Sequence, residues 1–206
     1  GEAGGEAEPV AGGLVEALAG TKWVVCSTLS LAFPKSRQAM YEVVDAALAT
    51  GARLCVDVNW RPVFWPEEED AKADILALAL RAHVVKLTDE EAEWLLGIPA
   101  DEALAEPGRV HDEFKGALAV LVTAGEKGAG YSMLGQVGVV PRLQVEATET
   151  TGAGDAFTAG FLHGVLAMDI DWKMFQVGKR QVPANPPPPE SNTVTPRLMG
   201  HHRPSR

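Results

Sequence analysis

The chain has 206 residues, of which 46% are hydrophobic and 22% are charged, a composition typical of folded globular proteins and unlike that of a disordered chain. Its length suits one well-packed domain better than two. A formal net charge of -10 argues against nucleic acid or an anionic membrane surface as the main partner.

Apolar segments with the spacing of helices and strands alternate along the chain. Helices are predicted at 13–20, 35–51, 67–82 and 88–96, with another beginning near Ala153. Strands are predicted at 22–27, 53–58, 83–87 and 119–124, and residues 121–133 resemble a hairpin with a glycine-bearing turn. Cys26 and Cys55 lie in the first two of these strands, where buried free thiols are expected.

This alternation predicts an α/β fold with a mostly parallel sheet between two helical layers, a three-layer α/β/α arrangement. In such sheets ligands bind at the carboxyl ends of the strands. The polar residues that follow the predicted strands are Thr28, Asp57 to Arg61, Thr88 to Glu91, and Gly125 to Gly128.

The domain predicted from the pattern covers residues 12–170, after a flexible N-terminal end at residues 1–11. Residues 171–206 are expected to form a basic, proline-rich, disordered tail, because the helical and strand spacing stops and seven of the 14 prolines lie there. From Trp172 onward six Lys or Arg residues accompany one acid, Glu190.

The stretch "ETTGAGDAFTAGF", residues 149–161, places small residues before a carboxylate at a predicted helix start. Gly152, Ala153 and Gly154 would let an anion approach the free N–H groups of the first turn, and Asp155 would lie beside it as a candidate proton acceptor. A glycine-rich turn with an aspartate placed for the helix dipole explains the same residues without a function. Farther along, the repeat of Ala156, Gly160 and Gly164 predicts a smooth face that packs on the sheet.

Thr88 and Glu91 have the spacing of a capping box, which needs no further role. The position of Glu91 at the end of a strand also allows it to hold Mg²⁺ through water.

Asp57, Asn59 and Arg61 occupy alternate positions after a strand, so that they can face one side of an extended loop. Arg61 would then bind a phosphate, and Asp57 a sugar hydroxyl or a water. The alternative is an internally hydrogen-bonded loop with aromatic packing. Its aromatic residues are Trp60, Phe64 and Trp65.

Five blocks, in this order, resemble the PfkB family of carbohydrate kinases, which has the ribokinase-like fold, and among them its fructokinase-type members. The blocks are "TLSLAFP", "DVNWRPVFW", "KLTDEEAEWLLG", "VTAGEKGAGY" and "TTGAGDAFTAGF", and the resemblance covers about residues 14–168.

The resemblance implies an enzyme that transfers the γ-phosphoryl group of ATP to a hydroxyl of fructose or a related sugar, using Mg²⁺. It implies a general base, an anion hole, a metal-organising acid, a nucleotide-lining segment and a block near the phosphates and the sugar. Asp155 matches the general base, Gly152, Ala153 and Gly154 match the anion hole, and Glu91 matches the metal-organising acid. Thr123, Gly125 and Gly128 lie in the nucleotide-lining segment, and Arg61 and Asn59 lie in the block near the phosphates and the sugar. It further implies small-molecule partners only, a homodimeric parent protein, and a cytoplasmic or plastid location.

Three positions depart from the family pattern: Glu149 where an Asp is usual, Thr88 where an Asn is common, and Ser27 where a Gly is frequent. The longer side chain of Glu149 is expected to disturb a loop that supports a monovalent cation. The family's N-terminal lid region and C-terminal helices have no match here, which predicts weak activity or none for these 206 residues. A non-catalytic fructokinase-like binding or regulatory protein, and an inactive fragment, are the alternatives.

Overall fold

A computed structural model describes residues 10–65, 67–144 and 151–168. It contains a six-stranded sheet in which the strands lie side by side in chain order. The strands are β1 (Trp23–Ser27), β2 (Arg53–Asp57), β3 (Val84–Thr88), β4 (Ala119–Thr123), β5 (Ala129–Met133) and β6 (Gln136–Val140). Strands β1 to β4 are parallel, whereas β5 and β6 continue the sheet antiparallel. The predicted mostly parallel sheet and the predicted hairpin are therefore confirmed.

Seven α-helices accompany these strands in the described ranges. They are α1 (Val10–Ala17), α2 (Pro34–Ala49), α3 (Glu68–Ala79), α4 (Asp89–Leu96), α5 (Ala100–Ala105), α6 (Pro107–Glu113) and α7 (Ala153–Ala167). The sequence predicted neither α5 and α6 nor β6. No helix within these ranges is long and apolar enough to cross a membrane. Three of the predicted features lie outside the described residues. They are the tail at 171–206, residues 1–9 of the flexible end, and Glu149.

Local chemistry explains where the longer helices begin and end. Pro34 occupies the first turn of α2, where its missing N–H is not needed. Gly51, just after α2, and Gly97, which caps α4, have φ angles of 82° and 70°. These left-handed conformations favour glycine and end each helix before the chain turns toward the next element.

The two faces of the sheet carry separate apolar clusters, because side chains alternate along each strand. One face packs against α2 to α6, with Leu54, Val56, Val85, Leu87, Val120 and Val122 in its core. The other face packs against α7, where the cluster contains Cys55, Val84, Ala119, Leu121 and Leu162. The helices therefore form two layers around the sheet, and residues two positions beyond Cys55 and Val84 also face the α7 side.

The side of α7 that meets the sheet differs from the predicted one. Buried Thr158, Leu162 and Val165 form it, at helical spacing. A Cβ atom built on Gly160 or Gly164 has no described heavy atom within 4 Å. The prediction that these glycines form a packing face is therefore wrong for the described residues, because the apolar stripe places them on other sides of the helix.

Both cysteines are buried free thiols, as predicted. Burial raises the pKa of the Cys55 thiol to about 12, and burial also raises the pKa of Cys26. Neither side chain is therefore a reactive thiolate at neutral pH.

His83, which precedes β3, makes stability depend on pH. Its Nδ1 atom accepts a hydrogen bond of 3.1 Å from the backbone N–H of Leu54, which requires an unprotonated nitrogen. Burial, and then the charge of Arg53, lower the pKa of His83. His83 is therefore protonated less readily in the folded state than in the unfolded state. Its contribution to the free energy of unfolding is fully present above about pH 6.5 and is lost as the pH falls through its lowered pKa.

We expect the free energy of unfolding to fall between about pH 7.5 and pH 5 by more in the wild type than in His83→Gln, as measured by urea titration. His163 is exposed on α7 and supplies the control, since His163→Gln should retain the wild-type pH dependence. Equal pH dependence in all three proteins would contradict the assignment.

Candidate active site

The carboxyl ends of the central strands form one edge of the sheet, as predicted. Asp57, the last residue of β2, is aligned with Lys86 of β3, and Thr88, the last residue of β3, is aligned with Thr123 of β4. Side chains from three successive strands therefore meet at this edge, where parallel sheets bind their ligands.

An ion pair between Asp57 and Lys86 lies at the centre of this edge. The Lys86 ammonium donates to both Asp57 carboxylate oxygens, at 3.0 and 3.1 Å, and the two side chains are 9% exposed or less. Both residues lie two positions beyond members of the apolar cluster under α7, which places the pair on that face. Asp57, predicted to contact substrate, thus already has a buried internal partner.

Glu91 joins the loop after β2 to the start of α4. Its Oε2 atom accepts from the backbone N–H of Thr88 at 2.8 Å, and Thr88 Oγ1 accepts from the N–H of Glu91 at 3.0 Å, so the predicted capping box is present. Its Oε1 atom accepts from the backbone N–H of Trp60 at 2.8 Å. Burial raises the pKa of Glu91, although these N–H donors and the charge of Lys86 act in the opposite direction.

The side chains of Asn59 and Arg61 meet different partners. Asn59 has a φ angle of 38°, and its Nδ2 atom donates to Ser27 Oγ at 3.0 Å, which connects the ends of β1 and β2. Arg61 is exposed and donates to the carbonyl oxygen of Trp60 at 3.1 Å. Ser27 therefore orients Asn59, one of the predicted substrate contacts.

Aromatic packing supports the same loop. The Trp60 ring stacks on Trp94 of α4 with centroids 3.7 Å apart, and Phe64 lies against Phe33 with centroids 6.0 Å apart. Trp60 and Trp65 also pack against the apolar cluster on the face of the sheet that meets α2 to α6. The aromatic packing of the alternative interpretation is present, and the internal hydrogen bonds of Asp57 and Asn59 accompany it.

The glycine-rich turn places the N-terminus of α7 over the ion pair. Gly152 has a φ angle of 79° and precedes the first helical residue, Ala153. A Cβ atom built on Gly154 would lie 3.1 Å from Lys86 Nζ, so the helix backbone lies close to the ammonium group. Asp155 lies in the first turn, as predicted, and its side chain is exposed.

The turn between β4 and β5 is fixed by backbone packing. Gly125 and Gly128 have φ angles of 50° and 102°. A Cβ atom on Gly128 would lie 2.2 Å from the carbonyl oxygen of Val140, which only glycine avoids. Lys127 forms an ion pair of 3.3 Å with Asp89 of α4, so the predicted nucleotide-lining turn is joined to the helix that carries Glu91.

The fold therefore links three predicted site residues through Lys86 and Ser27, neither of which the sequence had assigned to the site. Lys86 joins Asp57 to Gly154, and Ser27 binds Asn59. Arg61 and Asp155 are exposed instead. A lysine inside the apolar stretch "HVVKL" was the available signal, since lysine is rarely buried without a partner.

Within the described ranges, no group of three or more His, Cys, Asp or Glu residues is placed to hold a metal ion. Mg²⁺ commonly needs only one or two protein carboxylates, with water and substrate phosphates completing its shell. Both Glu91 oxygens already accept backbone N–H groups, which fits a contact through water better than direct ligation.

Known proteins with similar sequences include several fructokinases. The chain is 34% identical to a fructokinase of Klebsiella pneumoniae over 151 residues, which cover 72% of this chain and 48% of the relative. It is 33% identical to fructokinase-1 of Zea mays over 141 residues, which cover 68% of this chain and 42% of the relative. The chain thus spans less than half the length of these relatives.

Solved structures show the same fold. A PfkB protein from Polaromonas has a TM-score of 0.64 at 26% identity, and the match covers 75% of this chain and 49% of that one. A fructokinase from Vibrio cholerae, crystallised with fructose, ADP and calcium, has a TM-score of 0.64 at 28% identity and covers 75% of this chain and 48% of its own. The predicted ribokinase-like fold is therefore confirmed. The model of the pfkB family carbohydrate kinases matches residues 8–179, and the chain belongs to that family.

Proposed function

We propose that this chain carries the phosphoryl-transfer site of an ATP-dependent sugar kinase, which phosphorylates a hydroxyl of fructose or a related sugar. The proximity of Gly154 to Lys86 carries the proposal, because it supports a location of the glycine-rich turn and Asp155 at the carboxyl edge of the sheet. The likeness to fructokinases, one of them crystallised with fructose and ADP, supports this substrate class.

Asp155 acts as the general base. Its exposed carboxylate is open to a sugar hydroxyl, whose proton it accepts as the oxygen attacks the γ-phosphorus. Gly152, Ala153 and Gly154 form the anion hole, because the first-turn N–H groups of α7 have no intrahelical partners. These donors stabilise the negative charge that spreads over the transferred group.

The remaining site residues bind the two substrates. Thr123, Gly125 and Gly128 line the nucleotide site, and Arg61 and Asn59 contact phosphate or sugar, with Asp57 holding their loop through Lys86. Glu91 holds Mg²⁺ through water. When bound, Mg²⁺ neutralises charge on the phosphates. A monovalent cation is also proposed as a cofactor, and a fructokinase from Vibrio cholerae has been crystallised with potassium.

The setting that we propose for the whole protein is that of a metabolic enzyme in the cytoplasm or a plastid. Its partners are a sugar, ATP and a second copy of itself, without nucleic acid or membrane contacts. The net charge of -10 supports the absence of a polyanionic partner.

A non-catalytic binding protein with the same fold is the second candidate. The internal partners of Asp57 and Glu91 favour it, since both buried carboxylates already have a structural role. Such a protein would bind the sugar or the nucleotide without transferring phosphate.

An assay of ATP-dependent phosphorylation over a panel of ketoses, aldoses and pentoses separates the two candidates. We expect the whole protein to release ADP in the presence of fructose or a close relative and to form the corresponding sugar phosphate, detected by mass spectrometry, whereas these 206 residues alone should show weak activity or none. The control is ADP release without sugar. Calorimetric binding of ATP with no sugar phosphate from any member of the panel would favour the binding protein.

A further inference from the structure

Lys86 lies at the candidate site next to two other residues, Asp57 and Gly154. Its ammonium binds both oxygens of Asp57, and its Nζ atom would be 3.1 Å from a Cβ atom on Gly154. Because glycine has no Cβ atom, this separation means that the backbone of α7 passes near the ammonium and that a side chain on residue 154 would press against it. Lys86 is 5% exposed, which leaves its end no room to swing into solvent.

A side-chain hydrogen bond within α7 also holds this turn. Thr158, which is buried, donates its hydroxyl to the carbonyl oxygen of Gly154 at 3.0 Å. Gly154 thus accepts an intrahelical hydrogen bond and lies next to the ammonium group. Its neighbours in the first turn, Ala153 and Asp155, follow its position.

The arrangement is unfavourable for stability alone. A positive charge near the N-terminus of a helix opposes the helix dipole, and a buried ion pair is rarely more stable than apolar residues of similar size. Asp57 offsets the positive charge of Lys86, but the ammonium group still lies next to the α7 turn. Because the ion pair and the position of Lys86 cost stability, a role in placing the turn explains Lys86 better than a role in folding.

We propose that Lys86 is a positioning residue of the transfer site. Held by Asp57, its ammonium supports the backbone of Gly154 and thereby sets where the first-turn N–H groups and the Asp155 carboxylate stand relative to the sheet edge. This inference rests on the proposed function for its effect on catalysis, but the contact itself has a separate readout.

Gly154→Ala tests the contact with little risk to folding. Gly154 has no left-handed φ angle, and the higher helix propensity of alanine offsets the cost of a small displacement, so the melting temperature should stay close to that of the wild type. The added methyl group must displace Lys86 or the turn. We expect kcat to fall about tenfold, which corresponds to about 1.4 kcal/mol, with little change in KM for the sugar.

Gly160→Ala is the matched control, because it adds the same methyl group to the same helix with no described heavy atom within 4 Å. Its kcat should equal that of the wild type. The double variant Lys86→Met/Asp57→Asn removes the charge without leaving a buried ion unpaired, and should show the same fall in kcat. Adding Gly154→Ala to it should then cost little more. A Gly154→Ala variant as active as Gly160→Ala, or fully additive losses, would overturn the inference.

Amide resonances separate this inference from the proposed function. In ¹H–¹⁵N spectra the double variant should shift the resonances of Gly154 and Asp155 but not that of Gly160. If the wild type phosphorylates no sugar, the proposed function fails, and these shifts alone decide the position of the turn. Resonances of Gly154 and Asp155 that move no more than that of Gly160 would refute the positioning role.

Discussion

Asp155→Asn is expected to lower kcat for sugar phosphorylation by about 10²- to 10⁴-fold, the usual contribution of a general base. The amide has nearly the shape of the carboxylate, but it cannot accept the proton of the attacking hydroxyl. Binding of the nucleotide should change little, because the first-turn N–H groups of α7 remain. The loss should therefore appear in kcat and kcat/KM, measured by coupled ADP release, while the Kd for ATP, measured by calorimetry, stays close to that of the wild type.

Stability separates a catalytic loss from a folding defect in this experiment. Asp155 is exposed, so its replacement removes only the favourable interaction with the helix dipole, about 0.3–1 kcal/mol. Asp101, an exposed acid in the first turn of α5, is the matched control, and Asp101→Asn should retain full activity. An Asp155→Asn protein with the wild-type rate would show that another group accepts the proton.

Local patterns predicted the longer elements of the fold and failed for the shortest ones. Apolar spacing located β1 to β4 and α2, α3 and α4, because each has a buried face and a clear end signal. Helices α5 and α6 have six and seven residues, too few for a helical period to be recognised. Strand β6 was not predicted because none of its side chains is buried. In the structure, the positive φ angles of Leu134 and Gly135 mark a tight hairpin turn before it.

The site was predictable where its residues are neighbours in sequence. Gly152 to Asp155 and the pair of Thr88 and Glu91 are short-range motifs, and the structure has both at helix starts. The ion pair between Asp57 and Lys86 depends on the register of β2 and β3, which residues 29 apart do not reveal. The position of Gly154 over that pair depends on the packing of α7, and for the same reason it emerges only from the structure.

Asp57→Ala is expected to reduce the free energy of unfolding by about 3–5 kcal/mol, because it leaves the buried ammonium of Lys86 without its counter-ion. Such a loss is a large part of the stability of a typical domain. Urea titration followed by circular dichroism measures it. Glu126→Ala is the control, since the Glu126 side chain is 86% exposed in its ion pair with Arg142 and should contribute less than about 1 kcal/mol.

The double variant Asp57→Leu/Lys86→Met shows whether the loss comes from the unpaired charge. We expect it to recover most of the stability, because apolar residues of similar volume often replace a buried ion pair without cost. Kinetics of Asp57→Ala then distinguish the two roles of this aspartate. A substrate contact alone predicts a raised KM at nearly unchanged stability, whereas an anchor for Lys86 predicts lower stability together with lower kcat. We expect the second result, because both Asp57 oxygens are already bound to Lys86.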